Sequence, residues 1–283
     1  GDTAPGEAAL AITARAGLLN LNGGDTFISK LDPSLTAIGA LGLRKGPYLQ
    51  VYAPATNENI YTNLWTGPFY GFERVIETFE MTGSPRRIKP VGIYYHSYSA
   101  SKPASLKAVH KAYDWALRQP LHPIHAYEFA QKVQDFYDFA IARDGTGWRL
   151  SSPGRLRTVR LPAALGVPDV QASQAIAGWR PGEEAPYVHM TGASARLQTA
   201  AAAGGAPYLY EANGRLAAWQ RTDKGFMATF QGHVPLVVTL ANTQGCQVRA
   251  DRRPIAAQRR SANTQTFQLT HAAAQIDVLC PGH

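Results

Sequence analysis

Residues Val91-Gly92-Ile93-Tyr94-Tyr95-His96-Ser97-Tyr98 decide the architecture of the first half of this 283-residue chain. An apolar run of this length, following Pro90 and closed by polar residues, predicts a buried strand over 91–95 that carries His96 at its C-terminal end. Helical spacing flanks it on both sides. Upstream, Phe72, Val75, Ile76 and Phe79 recur three and four apart within 69–81, after Thr66 and Pro68 and before Gly83. Downstream, Leu106, Val109, Tyr113 and Leu117 share one face of a helix over 104–118. A further helix over 127–142 places Phe129, Val133, Phe136 and Phe139 or Ala140 together, and Asp144-Gly145 ends it. Nearer the start, Pro5 suits the first turn of a helix over 7–16 that Gly17 stops. Leu18-Leu19-Asn20-Leu21-Asn22 predicts a buried strand ending in the Gly23-Gly24-Asp25 turn, and 48–52 a second strand. Strand alternating with helix in this way predicts an α/β fold on a parallel sheet, reaching to about residue 148.

Beyond Trp148 the rhythm changes. Short alternating runs separated by Gly, Pro and Asn cover 155–161, 208–211, 214–221, 225–230, 236–240, 246–250, 266–269 and 275–279. Regular short strands predict an all-β sandwich domain over 149–283, with Asn213-Gly214 as a tight hairpin turn. The small-residue stretch 200–205 reads as a loop, and there is no internal repeat. Two domains are therefore expected, 1–148 and 149–283, and 283 residues suffice to give each its own core.

Composition narrows the function classes. Apolar residues are 45% and charged residues 17%, which excludes a disordered chain, and no apolar run approaches the ~20 residues needed to span a bilayer. The chain opens on Gly1 rather than Met and carries no signal-peptide pattern, so a fragment of a longer protein is expected. The net charge of +8 is uneven: 1–148 holds 14 basic against 13 acidic residues, and 149–283 holds 14 against 7. The basic residues of the second half are mostly arginines with few aromatics between them and match no nucleic-acid motif, so no nucleic-acid partner is expected. An acidic glycan, lipid headgroups or plain solvent remain open for that surface. Cys246 and Cys280 lie in strand-like runs, and the sequence is compatible with two free thiols or with a disulfide closing the second domain.

Parallel sheets keep their chemistry at the C-terminal ends of the strands. Three such segments are present: Asn20 to Asp25, the polar and aromatic loop 53–69, and Tyr94-Tyr95-His96-Ser97-Tyr98. His96 is the candidate general acid or base, since imidazole titrates near neutral pH. The middle loop supplies Asn59, Tyr61, Asn63 and Trp65, with Tyr70 just beyond it. Amides for sugar hydroxyls and rings for sugar C–H faces are the mixture that saccharides require. Asn22 and Asp25 join them as candidate substrate contacts, and Asp2 as a polar site residue. Asp2 or Asp25 with Glu58 could alternatively read as a glycosidase carboxylate pair. His122 and His125, separated by Pro123-Ile124, cannot share a helix face, and no metal is expected there.

These blocks also resemble a known family. Gly1-Asp2 with Pro5, Gly17-Leu18-Leu19-Asn20-Leu21-Asn22-Gly23-Gly24-Asp25-Thr26, Leu49-Gln50-Val51-Tyr52-Ala53-Pro54, the stretch from Asn57 to Phe72, and Ile93-Tyr94-Tyr95-His96-Ser97-Tyr98-Ser99-Ala100 are similar to the later part of the PelA-type polysaccharide deacetylases. The resemblance covers about residues 1–145. It implies a NodB-like barrel, a periplasmic or secreted location, and hydrolysis of acetamide groups on an N-acetylated exopolysaccharide of biofilms. It further implies a divalent metal, usually zinc, that activates water, with exopolysaccharide secretion-machinery proteins as partners. Tyr94-Tyr95-His96 matches the late-strand motif, which makes His96 the acid that protonates the leaving amine, and Asp2 sits in the middle motif. The early Asp-Asp strand and His-x-x-x-His helix that hold the metal are missing from these residues, so the ligands are expected outside this chain and the chain alone is expected to be silent. A non-catalytic glycan-binding or assembly module and a glycoside hydrolase are the alternatives.

Overall fold

The computed structural model describes residues 4–22, 28, 30, 33, 41–53, 55–56, 74–95, 97 and 103–281. Among the described residues the protein is β-rich, with four α-helices and several small sheets. It divides into two units, one of residues 1–121 and 126–134 and the other of 122–125 and 135–283. The change thus falls ahead of residue 148, the point where the sequence turns from helical to strand spacing.

In the first unit, strand Leu21–Asn22 runs parallel to Tyr48–Tyr52, with Leu21 opposite Val51 and Asn22 opposite Tyr52. Gly42–Lys45 pairs antiparallel on the other side of Tyr48–Tyr52, a hairpin that hydrophobic spacing did not suggest. Ala55–Thr56 pairs parallel with Ile93–Tyr94. Among the described residues these sheets are three- and two-stranded and form no closed barrel. Helix α1 spans Glu7–Arg15, and Gly17 follows it with φ of 71°, a conformation that glycine adopts without a Cβ penalty. Leu18 and Leu19 are exposed rather than buried, because only Leu21–Asn22 of that apolar stretch pairs into the sheet.

Helix α2 is Val75–Met81, and the expected start of that helix at 69–73 lies outside the described residues. Helix α3, Pro103–Leu117, buries Ser105, Ala108, Val109 and Ala112, while Leu106, Tyr113 and Leu117 of the expected core face are exposed. Small side chains decide that orientation: Ala108 and Ala112 let the helix close on Val75 and Phe79, and Phe79 stacks on Trp115 at 5.6 Å. Helix α4, Ala126–Asp138, stops four residues short of its expected end. Its Ala130 and Val133 pack with Val51, while Phe136 is exposed.

The second unit begins its sheets where helical spacing still runs in the sequence. Ala140–Asp144 pairs with Gly147–Ser151, so Asp144-Gly145 is the turn of a hairpin rather than a helix stop, with φ of 62° at Gly145. The Asp135 carboxylate accepts the backbone N–H groups of Arg155 and Leu156, fixing the loop at 153–157. A four-stranded sheet, with Tyr208–Ala212, Val237–Ala241, Thr264–Gln268 and the edge strand Arg259–Arg260, lies against a five-stranded one. The latter holds Arg215–Thr222, Gly225–Gln231, Ala273–Leu279, Gln247–Ala250 and the edge strand Arg253–Pro254. Between them sit Phe226, Phe230, Leu236, Leu240, Phe267 and Ile276. Asn213-Gly214 is not a hairpin turn, because the strands on either side of it belong to different sheets. Asn213 instead clamps the corner: its Oδ1 accepts the Val237 N–H at 2.7 Å and its Nδ2 donates to the Pro235 carbonyl at 3.0 Å.

The four-stranded sheet is apolar on both faces. Leu209 and Leu240, opposite each other, join the core shared with the five-stranded sheet. Their neighbours Tyr208 and Ala241 point the other way, into a second core with Leu150, Ile176, Val188, Met190 and Leu197. Strand Ile176–Arg180 crosses this sheet so closely that a Cβ on Gly178 would stand 2.1 Å from the Leu209 carbonyl oxygen. Gly178→Ala is expected to destabilise the second unit by roughly 1–3 kcal/mol, the cost of overpacking a filled interior. Gly192→Ala, where a Cβ meets nothing within 4 Å, is expected to stay within about 0.5 kcal/mol of the parent in urea unfolding.

Cys246 and Cys280 form a disulfide across a sequence separation of 34, which settles the choice the sequence left open. A closed loop of that length restricts the unfolded chain by roughly 3–4 kcal/mol. Reduction is therefore expected to lower the unfolding midpoint of the second unit while the first is unaffected, and equal midpoints with and without reductant would remove this role.

Candidate functional site

The described frame of the expected site is the strand-end rim of the first unit. Parallel register brings the C-terminal ends of Leu21–Asn22 and Tyr48–Tyr52 level: the Val51 N–H donates to the Asn20 carbonyl at 2.9 Å, and the Ala53 N–H to the Asn22 carbonyl at 3.1 Å. Asn22, half-buried, therefore stands at a strand terminus beside Tyr52, as its place before the Gly-Gly turn suggested. Ile93–Tyr94 ends level with Ala55–Thr56, two residues before His96 in sequence. Asp2, Asp25, Glu58, Asn59, Tyr61, Asn63, Trp65, Tyr70 and His96 itself lie outside the described residues.

What surrounds this frame includes two groups that sequence reading passed over. The first is Lys89, only 4% exposed, whose Nζ donates to the Tyr52 carbonyl at 3.4 Å. Burial pushes its ammonium down to about 8, since a charged amine loses hydration there. The one signal in the sequence was a lysine immediately before Pro90 and the apolar strand. The second is Tyr113 of helix α3, whose ring meets Tyr95 edge-on at 6.2 Å. Burial, then a hydrogen bond and charge repulsion with Tyr95, raise its phenol above the ordinary value. The residue preceding His96 is thus anchored on a helix by an aromatic pair.

Chemically, the described strand ends and helix α3 offer an amide (Asn22) and phenols (Tyr94, Tyr95, Tyr113), while Lys89 is buried against the Tyr52 carbonyl. The amide and phenols can hydrogen-bond saccharide hydroxyls and acetamides. They are not the Asp and His set that a catalytic zinc takes. In the second unit, His125 and His233 bring their rings to 4.3 Å, edge to face, a pairing over 108 positions that the spacing of His122 and His125 did not reveal. Two imidazoles are half of the usual tetrahedral set. His189, also in that unit, donates from Nε2 to the Tyr210 carbonyl at 2.8 Å. Burial, with Arg180 adding to it, holds its imidazole below the ordinary range despite that bond, so it is a neutral structural residue at pH 7.

The depressed lysine carries a stability prediction. Between pH about 8 and 10.5 the unfolded chain binds the Lys89 proton and the folded chain does not, so the first unit gains stability as pH rises through that window. Below it the burial penalty is present in full. Lys89→Met is expected to stabilise the first unit by about 2 kcal/mol at pH 7, the pKa depression less one lost hydrogen bond, and to add almost nothing above pH 11. Chemical denaturation across pH checks this, and a pH-independent difference between the two proteins would contradict it.

Compared with protein families, curated proteins and solved structures, the chain matches none.

Proposed function

We propose that the chain is the C-terminal portion of a periplasmic polysaccharide de-N-acetylase acting on an N-acetylated exopolysaccharide of the Pel type. In this reading the first unit holds late strands of a NodB-like barrel and the second unit is an appended β-sandwich. The observation that supports it most is the parallel pairing of Leu21–Asn22 with Tyr48–Tyr52 and of Ala55–Thr56 with Ile93–Tyr94. Parallel strands aim their C-terminal ends at one side of their sheet, and the resembling blocks that contain Asn22, Tyr52 and Tyr94 meet described strands at such ends. The Cys246–Cys280 disulfide supports an exported protein, since cytosolic thiols are kept reduced.

The reaction breaks the amide C–N bond of the acetamide, forms a C–O bond from water, and releases acetate and a sugar amine. His96, as imidazolium, donates the proton that lets the amine leave. Asn22, with Asn59, Asn63, Tyr61, Trp65, Tyr70 and Asp25, binds the saccharide, and Asp2 positions the site. The described residues of the rim do not fit a metal site, so in this reading the metal of such enzymes is held by parts of the parent protein beyond these residues.

The test is His96→Ala in the full-length parent, with acetate release from an N-acetylhexosamine oligomer as readout. Loss of a general acid is expected to lower the rate by about 10²–10⁴-fold with an unchanged unfolding midpoint. The chain by itself is expected to release no acetate. Metal-dependent release by the chain alone, or full activity of the variant parent, would overturn the reading.

A further inference from the structure

We propose that the arginine-bearing edge of the second unit, at 249–260, docks an acidic polysaccharide, a carboxylated or sulfated polymer distinct from the N-acetylated substrate. Five arginines fall within these twelve positions: Arg249, Arg252, Arg253, Arg259 and Arg260. The fold places Arg253 on the edge strand of one packed sheet and Arg259 and Arg260 on the edge strand of the other, with Arg252 in the adjoining turn and Arg249 on the strand beside the edge. Arg253–Pro254 is the edge of the five-stranded sheet, paired with Gln247–Ala250 so that Arg249 faces Pro254 and Ala250 faces Arg253. The reversal between them uses left-handed backbone at Asp251 and Arg252, φ of 48° and 70°. Arg259–Arg260 is the edge of the four-stranded sheet.

Only residues 255–258 join the two edges, so Pro254 and Arg259 lie within ~18 Å of each other even at full chain extension. The link is also held down. Ile255 and Ala257 pack on the shared core, and Gln258 bonds to Thr266 and Gln268 through backbone and side chain. A pinned stretch of backbone carrying closely spaced arginines results.

Several arginines elsewhere in the unit are held in ion pairs. Arg149 and Arg196 pair with Asp144, Arg160 with Glu184, and Arg180 with Glu211. Arg252, Arg253, Arg259 and Arg260 are exposed and have no ion pair among the described residues. The acids beside them are engaged elsewhere. Asp251 accepts the Gln275 N–H at 2.9 Å and pairs with His271 at 3.3 Å, and Asp277 accepts from the Gln275 side chain at 2.7 Å. Arg143, Arg157, Arg215, Arg221 and Lys224 likewise make no ion pair among the described residues but are scattered along the unit, whereas Arg252, Arg253, Arg259 and Arg260 fall within nine positions.

The chemistry selects the occupant. Planar guanidinium forks match carboxylate and sulfate groups two bonds at a time. No aromatic residue lies between 249 and 263, whereas single-stranded nucleic acid needs stacking rings. The edge likewise lacks the aromatic and leucine face that seats a protein on lipid. A flexible polymer with repeated anionic groups needs neither. A de-N-acetylated chain carries amines and would be repelled, so this surface serves a second glycan and stands independently of the deacetylase reading.

The experiment measures binding of polygalacturonate oligomers to the full chain by calorimetry across ionic strengths, with single-stranded DNA and phosphatidylglycerol vesicles in parallel. The variant Arg252→Ser/Arg253→Ser/Arg259→Ser/Arg260→Ser is expected to bind at least about tenfold more weakly and with a shallower salt dependence. Its unfolding midpoint should be unchanged. A charge-matched control, Arg149→Ser/Arg180→Ser/Arg196→Ser/Arg215→Ser, is expected to stay within about threefold of the parent, because diffuse charge acts weakly at physiological salt. Equal losses in both variants, no binding of polygalacturonate, or tighter binding of DNA or vesicles would each overturn the proposal. The first of these outcomes would leave the arginines as guards against edge-to-edge aggregation.

Discussion

A sheet that must be apolar on both faces sets the terms for the second unit. In the four-stranded sheet, successive residues alternate between two interiors, so Tyr208 and Ala241 serve one core and Leu209 and Leu240 the other. Neither interior can be filled unless the layers above and below come close. That requirement explains why Gly178 stands against the Leu209 carbonyl and why the chain turns a corner at Asn213-Gly214 instead of folding back. It also explains the near-continuous burial of Val237–Ala241, where one-sided sheets would alternate. The disulfide between Cys246 and Cys280 then ties two neighbouring segments of a unit already specified by packing.

The first unit solves its packing differently. Its helices approach on alanines, with Ala108 and Ala112 of α3 against Val75 and Phe79 and Ala130 of α4 against Val51, which leaves several larger side chains outside. Small residues at the contact permit close backbones, and close packing rather than residue size decides which face is buried. Parallel register holds Asn22 level with Tyr52 and Thr56 level with Tyr94, while Lys89 donates to the Tyr52 carbonyl and Tyr95 is braced on Tyr113.

Net charge is spread over both units, the first carrying 13 basic against 10 acidic residues and the second 15 against 10. In the second unit, ion pairs hold Arg149, Arg160, Arg180 and Arg196, while Arg252, Arg253, Arg259 and Arg260 of the edge make none among the described residues.

Much of the second unit was legible in the sequence, because strand spacing and Gly, Pro and Asn breaks are local signals that burial on one or two faces enforces. The runs at 208–211, 225–230 and 275–279 correspond to strands within a residue or two. So, in outline, were four helices and the strand at 48–52. Of the candidate site, Asn22 at a strand end was legible, while the other named residues, His96 among them, fall outside the described residues. Three matters only the tertiary structure could decide. Spacing alone cannot say which stripe of α3 is buried, since apolar residues lay on more than one side. An Asn-Gly pair reads the same whether its flanking strands share a sheet or part into two. Lys89 gave no sign of its depressed basicity, because that comes from the removal of water by chain segments distant in sequence.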